Sequence, residues 1–322
     1  MSAGNITLQQ FLVTMESNMQ SILVDRWADF NSDPDLAYWD LLVEDKTTAV
    51  REELFQWQIN RSKLRRQHDQ GNRRYDDLYN WAYGISPEDW GDNLILKEKD
   101  IEDNKVDHVG QWASDIGGAW AYWPQEALQE LLAAGETEEG YDGVPFFSTA
   151  HPIIPGISTS GTASNLFTSK PLTFANFTDG VAAIQNIPGP GGVKRFLKPF
   201  RLLHGNSNKK NALEILTAMQ IGDSTGDGRS GSKTNVITQY GFEAPRCMQD
   251  HPDDGSWYIQ CKVLSAPFKQ PFVRLMRKPL EVNTFAAVSS AELNRKKVFE
   301  YNADARVSMN FGEWSALFKF KP

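Results

Sequence analysis

Two cysteines in 322 residues, Cys247 and Cys261, are too few for a disulfide framework and lack the paired spacing of a zinc ribbon. They read as reduced thiols in a cytosolic chain. Long apolar runs are also missing. None approaches the roughly 20 residues that cross a bilayer, so no membrane partner is expected. The N-terminal MSAGNITLQQ has no basic stretch ahead of an apolar one, and no secretory signal is expected. Positive charge is in short supply: 33 Lys and Arg face 41 Asp and Glu, for a formal net charge of -8. That balance argues against a chain built to read nucleic acid through a basic field. No internal repeat and no βαβ rhythm is present.

The common catalytic signatures are absent too. There is no HExxH, GxSxG or CxxC. Residues 226–233, GDGRSGSK, miss the phosphate-binding P-loop because Ser232 intrudes between the second Gly and the Lys. IPGPGGV is Gly-rich but lacks GxGxxG spacing. Asp223, Thr225, Asp227 and Gly228 fit the start of a calcium loop, yet Thr234 stands where the bidentate Glu is required. The five His, at 68, 108, 151, 204 and 251, form no i, i+4 pair on a helix. One stretch does gather reactive types: in YDGVPFFSTAHP, Asp142, Ser148 and His151 lie close in sequence. A triad must converge in space beside an oxyanion hole, which nearness in sequence does not supply. The plainer reading is a turn at Asp142-Gly143 followed by core anchors Phe146 and Phe147.

What is present is an ordinary globular composition, 40% hydrophobic and 23% charged, enough for about two folded units. Leu8, Phe11, Leu12, Met15 and Met19 make a helical stripe, broken at Asp33-Pro34, and AYWDLLVED with TAVREELFQWQI continues in helical mode. From Val106 a long helix is expected, with Val109, Trp112, Ile116, Ala119 and Trp120 on one face. Pro124 should kink it or begin a second helix, and Gly135 should close it. Gly117-Gly118 costs about 1–2 kcal/mol of helix propensity, which close packing against another backbone would explain. Thr173 is a natural N-cap for LTFANFTDGVAAIQNI, and KKNALEILTAM reads as a further helix. Residues 223–235 are low in complexity and read as a mobile loop. The last 85 or so residues alternate as strands. Helices first, a mixed middle and a β-rich end define an α+β chain of two intertwined units.

Ten Trp are unusual and several cluster: Trp81 and Trp90, then Trp112, Trp120 and Trp123. Core is the default for such residues, with some facing another chain. The one dense basic stretch is RSKLRRQHDQGNRR, residues 61–74, with six Lys or Arg against one Asp. It fits a solvated face or the donors of inter-chain salt bridges better than a phosphate site.

These pieces, taken in order, resemble one family. YDGVPFFSTAHP after a helix ending LLAAG is similar to the most recognisable block of the Mu-like phage major head subunit (gpT) family. YGISPEDWGD and KEKDIEDN resemble its Gly-x-x-Pro, Trp-x-Gly and acidic elements. WYIQCKVLSAPFKQPFVRLMRKP and FEYNADARVSMNFGEWSALF resemble its C-terminal signature. The resemblance spans about residues 80–320. It implies a tailed-phage major capsid fold of the Hong Kong 97 type (Johnson fold), mapped as N-terminal arm 1–58, extended loop (E-loop) 59–104, spine helix of the peripheral domain 105–139, axial domain 140–255 and return strands 256–322. It implies a structural protein without enzymatic activity, cofactor or metal. Copies would form hexamers and pentamers of an icosahedral shell around double-stranded DNA, held nonspecifically. A separate scaffolding protein, a portal and a decoration protein are the implied partners. The location is the virion, after assembly in the cytoplasm of a host bacterium. Candidate inter-subunit contacts are Trp81, Tyr83 and Trp90, with a local cluster pinning the loop's own base as the alternative. Arg61, Arg65, Arg66, Arg73 and Arg74 would pair with acidic residues such as Glu98, Glu102 and Asp103 of a neighbour. Asp142-Gly143 marks the domain junction. Other readings are an encapsulin-like nanocompartment shell and, remotely, a metal-dependent hydrolase using His151 and Asp142.

Overall fold

Met19 and Leu23 stand one helical turn apart, and in the computed structural model of the chain both are buried on helix α1 (Leu8–Asn31). The structure describes residues 8–32, 37–58, 80–97, 107–154, 161–189, 194–224, 230–263, 268–284 and 298–322. A single short turn, α2 (Trp39–Leu42), follows, and the chain then becomes strand: β1 (Val43–Thr47) and β2 (Glu53–Gln58). This corrects the expected helical continuation. β1 pairs in parallel with a strand more than two hundred residues away, Val43 opposite Phe272, so a ladder that local propensity cannot register wins.

β3 (Asn80–Ile85) runs antiparallel to β2 as a two-stranded ribbon, with Glu53 opposite Ile85 and Gln58 opposite Asn80. β4 (Glu88–Lys97) follows at once. The basic stretch 61–74 joins β2 to β3 and lies outside the described residues, as do Glu98, Glu102 and Asp103. Helix α3 (Asp107–Ala134) then runs through Pro124 as one helix, so the proline does not begin a second. An interior proline costs about 3 kcal/mol, but Leu128 and Leu132 just beyond it are fully buried, each contributing about 1.5–3 kcal/mol. Gly117 has the close contact its cost required: a Cβ there would lie 3.2 Å from the Cα of Leu23 on α1. Gly118 faces open space.

Short pairs β5 (His151–Pro152), β6 (Thr162–Ala163) and β7 (Leu166–Phe167) lead to helix α4 (Phe174–Gln185). Thr173 caps α4 as expected, its hydroxyl accepting from the Asn176 N–H at 3.2 Å. Strand β8 (Lys198–His204) and helix α5 (Lys209–Thr217) come next. Much of the segment expected as a mobile loop, 223–235, is instead part of a hairpin, β9 (Gln220–Ser224) against β10 (Ser230–Thr234), with residues 225–229 outside the described set. The remaining strands are β11 (Arg246–Cys247), β12 (Trp257–Lys262), β13 (Phe272–Thr284), β14 (Val298–Phe311) and β15 (Leu317–Phe320).

Two sheets organise these strands. One has the order β1-β13-β14-β4, the other β11-β8-β12-β15-β7. The C-terminal strands divide between them, β13 and β14 in the first, β12 and β15 in the second. The strands after residue 256 find their other partners far upstream in sequence, at β1, β4, β7 and β8. One core joins both sheets to α3, and a smaller cluster of Met19, Leu23, Ala113, Val282, Tyr301 and Ala303 ties α1 to the sheet beside it. Cys261 is buried and Cys247 half-buried, neither in a disulfide, with burial pushing the Cys261 thiol well up. No helix among the described residues is long and apolar enough to cross a membrane.

Candidate functional site

α3 stops where a glycine lets the chain press against its own continuation. A Cβ on Gly135 would meet the Phe147 ring at 2.7 Å. Five residues on, Gly140 and Val144 close a tight turn through a 2.8 Å backbone bond, and Gly143 takes φ +73°. The turn delivers two buried rings to two different sheets. Phe146 stacks on Phe311 of β14 at 4.9 Å and lies 5.2 Å from Phe272 of β13, whereas Phe147 lies 5.8 Å from Tyr258 of β12. Asp142-Gly143 thus sits where the long helix hands over to both sheets.

Asp142 and His151 are buried as well, whereas Ser148 is half-buried and Thr149 exposed. His151 Nδ1 meets Asp142 Oδ2 at 2.6 Å, and its Nε2 meets Asn165 Oδ1 at 3.0 Å. The ring stacks flat on Trp314 at 4.2 Å. Asn165 also accepts from the Ser148 N–H and donates to the Phe146 carbonyl, both within 2.9 Å. Ser148 Oγ accepts from the Ala150 N–H. The histidine nitrogen that would serve a serine nucleophile is taken by an amide, so the Asp142, Ser148 and His151 trio is not a triad. Beside it, Tyr141 donates to the Glu313 carboxylate, which also pairs with Arg195 at 3.2 Å. Burial, with help from Glu313, pushes the Tyr141 phenol well up. Asn165 and Glu313 hold this network together, and neither carries a sequence motif that would announce it. Among the described residues, no group of three or more His, Cys, Asp or Glu is placed to hold a metal ion.

The aromatic candidates behave differently from one another. Tyr83 on β3 is half-buried against the main core, and burial raises its phenol above the ordinary value. Trp81 lies opposite Trp57 in the β2–β3 ribbon. Trp90 on β4 donates its indole N–H to the Val307 carbonyl at 3.0 Å and packs edge-on against Trp123 of α3 at 5.4 Å. It pins β4 to its own helix, yet 43% of it stays exposed. Trp123 continues a ladder through Trp120 to Trp27 and Trp39, which links α3 to α1 and α2. Arg61, Arg65, Arg66, Arg73 and Arg74 lie outside the described residues.

Between α3 and the β4–β14 edge runs a groove of about 380 Å³. Trp90 and Trp123 line it, and exposed Glu88, Glu126, Glu130 and Glu138 stand around it. Sequence reading passed over this rim, although Glu126 and Glu130 stand four apart on a helix and so share a face.

A long helix and a two-stranded ribbon, set beside two sheets that share one core, form a known arrangement. The fold is that of tailed-phage capsid proteins. A protein of the procapsid of bacteriophage JBD30 superposes with TM-score 0.52 at 17% identity, over 97% of this chain and 75% of that one. The capsid protein of Cyanophage P-SCSP1u gives TM-score 0.52 at 10% identity, over 87% and 86%.

Within that class, part of the chain is similar to the Mu-like head subunits. Residues 30–171 match the family described as Mu-like prophage major head subunit gpT, a stretch that includes the ribbon, α3 and the Asp142-Gly143 turn. The major capsid protein of Escherichia phage Mu is 27% identical over 95 residues, 30% of this chain and 31% of that protein. The Mu-like prophage FluMu major head subunit of Haemophilus influenzae is 29% identical over 92 residues, 29% of each chain. The matched stretches therefore span less than a third of these relatives. The match includes the blocks read at YGISPEDWGD, KEKDIEDN and YDGVPFFSTAHP; the two C-terminal blocks lie beyond it.

Proposed function

We propose that this chain is the major capsid protein of a Mu-like tailed phage or prophage, whose copies close into an icosahedral shell of hexamers and pentamers around double-stranded DNA. The observation that carries this reading is the joint occurrence of the gpT match over residues 30–171 and a capsid-protein fold aligned over 97% of the chain. Its site is then a set of surfaces, with no reaction to perform. Contacts repeat around five- and sixfold axes as heterologous interfaces. Each copy shares many of them, and obligate interfaces of this kind bury on the order of 2,000–5,000 Å².

In this reading residues 1–58 are the arm, 59–104 the extended loop, 105–139 the spine helix, 140–255 the axial domain and 256–322 the return strands. The net charge of -8 suits a wall that encloses DNA without gripping it, since each phosphate contact would add a salt-dependent attraction. A separate scaffolding protein, a portal and a decoration protein complete the assembly. The product resides in the virion after assembly in the host cytoplasm.

Negative-stain microscopy of the chain expressed alone tests the class. Shells, hexamer rings or sheets are expected. A chain that stays monomeric at all concentrations, with or without crowding agents, would overturn the proposal.

A further inference from the structure

The His151 network beside the Asp142-Gly143 turn carries a proton count, and Asn165 fixes it. The Asn165 Nδ2 donates to the Phe146 carbonyl at 2.8 Å and to the Trp314 and Leu317 carbonyls at 3.3 Å. Its Oδ1 accepts from the Ser148 N–H at 2.9 Å. Turning the amide over would set donor against donor and acceptor against acceptors, so its partners force this orientation. Oδ1 is therefore the atom that faces His151 Nε2 at 3.0 Å, and an acceptor there requires a proton on Nε2. Across the ring, Asp142 Oδ2 faces Nδ1 at 2.6 Å, and that contact requires a second proton between the two atoms. A neutral imidazole has only one.

Charge balance places the second proton. The His151 and Asp142 side chains are 0% and 1% exposed. A carboxylate buried to that degree needs a counter-charge. The other charged and titratable groups packed around the pair do not supply it. Arg195, ahead of β8, is paired with Glu313 at 3.2 Å, and the Tyr141 phenol donates to that same carboxylate. The His151 ring also stacks flat on Trp314 at 4.2 Å, an arrangement that favours a cation over a neutral ring.

We propose that His151 is a buried imidazolium in the folded chain at neutral pH, and that its second proton locks the junction. The lock joins the turn after α3, the Asn165 segment before β7 and the Trp314 turn before β15. One proton from solvent joins the ring on folding, and none leaves Asp142. Without it, either Nδ1 or Nε2 would present a lone pair to an oxygen, and the segments would repel where they meet. Nothing in this lock depends on assembly into a shell.

Long-range proton–nitrogen spectra of the full chain carrying isotope-labelled histidine, in solution or as sedimented particles, read both ring nitrogens directly. At pH 7.5 both nitrogens of one histidine should carry protons, and that signal should be missing from His151→Gln. If this variant does not fold, Trp314→Phe assigns the signal instead, because it changes the ring stacked on His151. A bare nitrogen on His151, with the proton resting on Asp142 or absent, overturns the proposal. Asp142→Asn keeps the shape and removes the counter-charge, and it should raise the urea unfolding constant of the unassembled chain about a hundredfold. A purely structural loss would do the same, so the pH profile decides. An unfolded histidine has lost its extra proton above about pH 6.5 whereas the folded site keeps it, so this stabilisation falls as pH rises. Between pH 7.5 and 8.5 the parent's unfolding constant should rise about tenfold relative to that of Asp142→Asn. Parallel profiles overturn the proposal.

Discussion

His251 lies against the Tyr258 ring at 5.1 Å, its Nδ1 accepting from the Asp253 N–H at 2.9 Å. Its Nε2 is buried and has no hydrogen-bond partner among the described residues. Burial is the main cause that pulls this imidazole down to about 4. An unfolded histidine titrates near 6.5, so between those values the unfolded chain binds the extra proton. The stabilisation is therefore full above pH 6.5 and is lost as pH falls toward 4, up to about 3 kcal/mol. Urea midpoints at pH 7 and pH 4.5 should show that loss, and His251→Gln should show a flatter dependence. A variant with the same slope as the parent would refute the assignment. Phe146 carries a different kind of weight. It is 1% exposed and touches both Phe272 and Phe311, so Phe146→Ala should cost about 3–5 kcal/mol. Denaturant unfolding reads this directly.

Helix α4 shows how much a single element owes to its own sequence. Thr173 caps it, Phe177, Val181 and Ile184 bury one stripe, and Gly180 lets the Phe320 ring approach to where a Cβ would stand 2.8 Å away. Thr173→Ala should cost about 1 kcal/mol, seen as a lower urea midpoint, with the helix content retained. β1 owes far less to its own sequence. VEDKT has no strong strand signal, and its conformation comes from pairing with Phe272 to Met276. That is why the helical expectation failed at 43–47 and succeeded at 174–185. The end of α3 carries a second lesson. Glu136 just beyond it bonds Lys319 and Lys321, and although burial opposes ionisation, those two lysines hold its carboxyl below the usual range. Nothing local to the helix announces a partner 183 residues away.

For the whole molecule, the informative residue is Trp90. It fixes β4 to α3 within one copy, and it also leaves a face open beside four carboxylates. Trp90→Ala should therefore do two things. It should lower the stability of the isolated chain by about 1–3 kcal/mol, because a partly exposed ring loses only part of its burial. It should also reduce shell yield well below what that stability loss explains, measured by sedimentation at equal folded concentration. Normal particles from the variant would confine the residue to its own copy.

The sequence alone determined the features that depend on near neighbours. The Thr173 cap, the turn at Gly143, the long helix after Val106 and the β-rich end all follow from backbone sterics and from hydrophobic period over a few residues. Ordered blocks of such features also carried the family resemblance. Only the tertiary structure decided what distant segments do for one another. It set β1 against β13, divided the last four strands between two sheets and paired His151 with Asp142 and Asn165. It also brought α3 and β4 together to make an acidic groove. The physical reason is range. A cap or a turn is satisfied by atoms within about four residues, whereas a strand partner or a groove wall is chosen by burial, across stretches of chain that no local pattern spans.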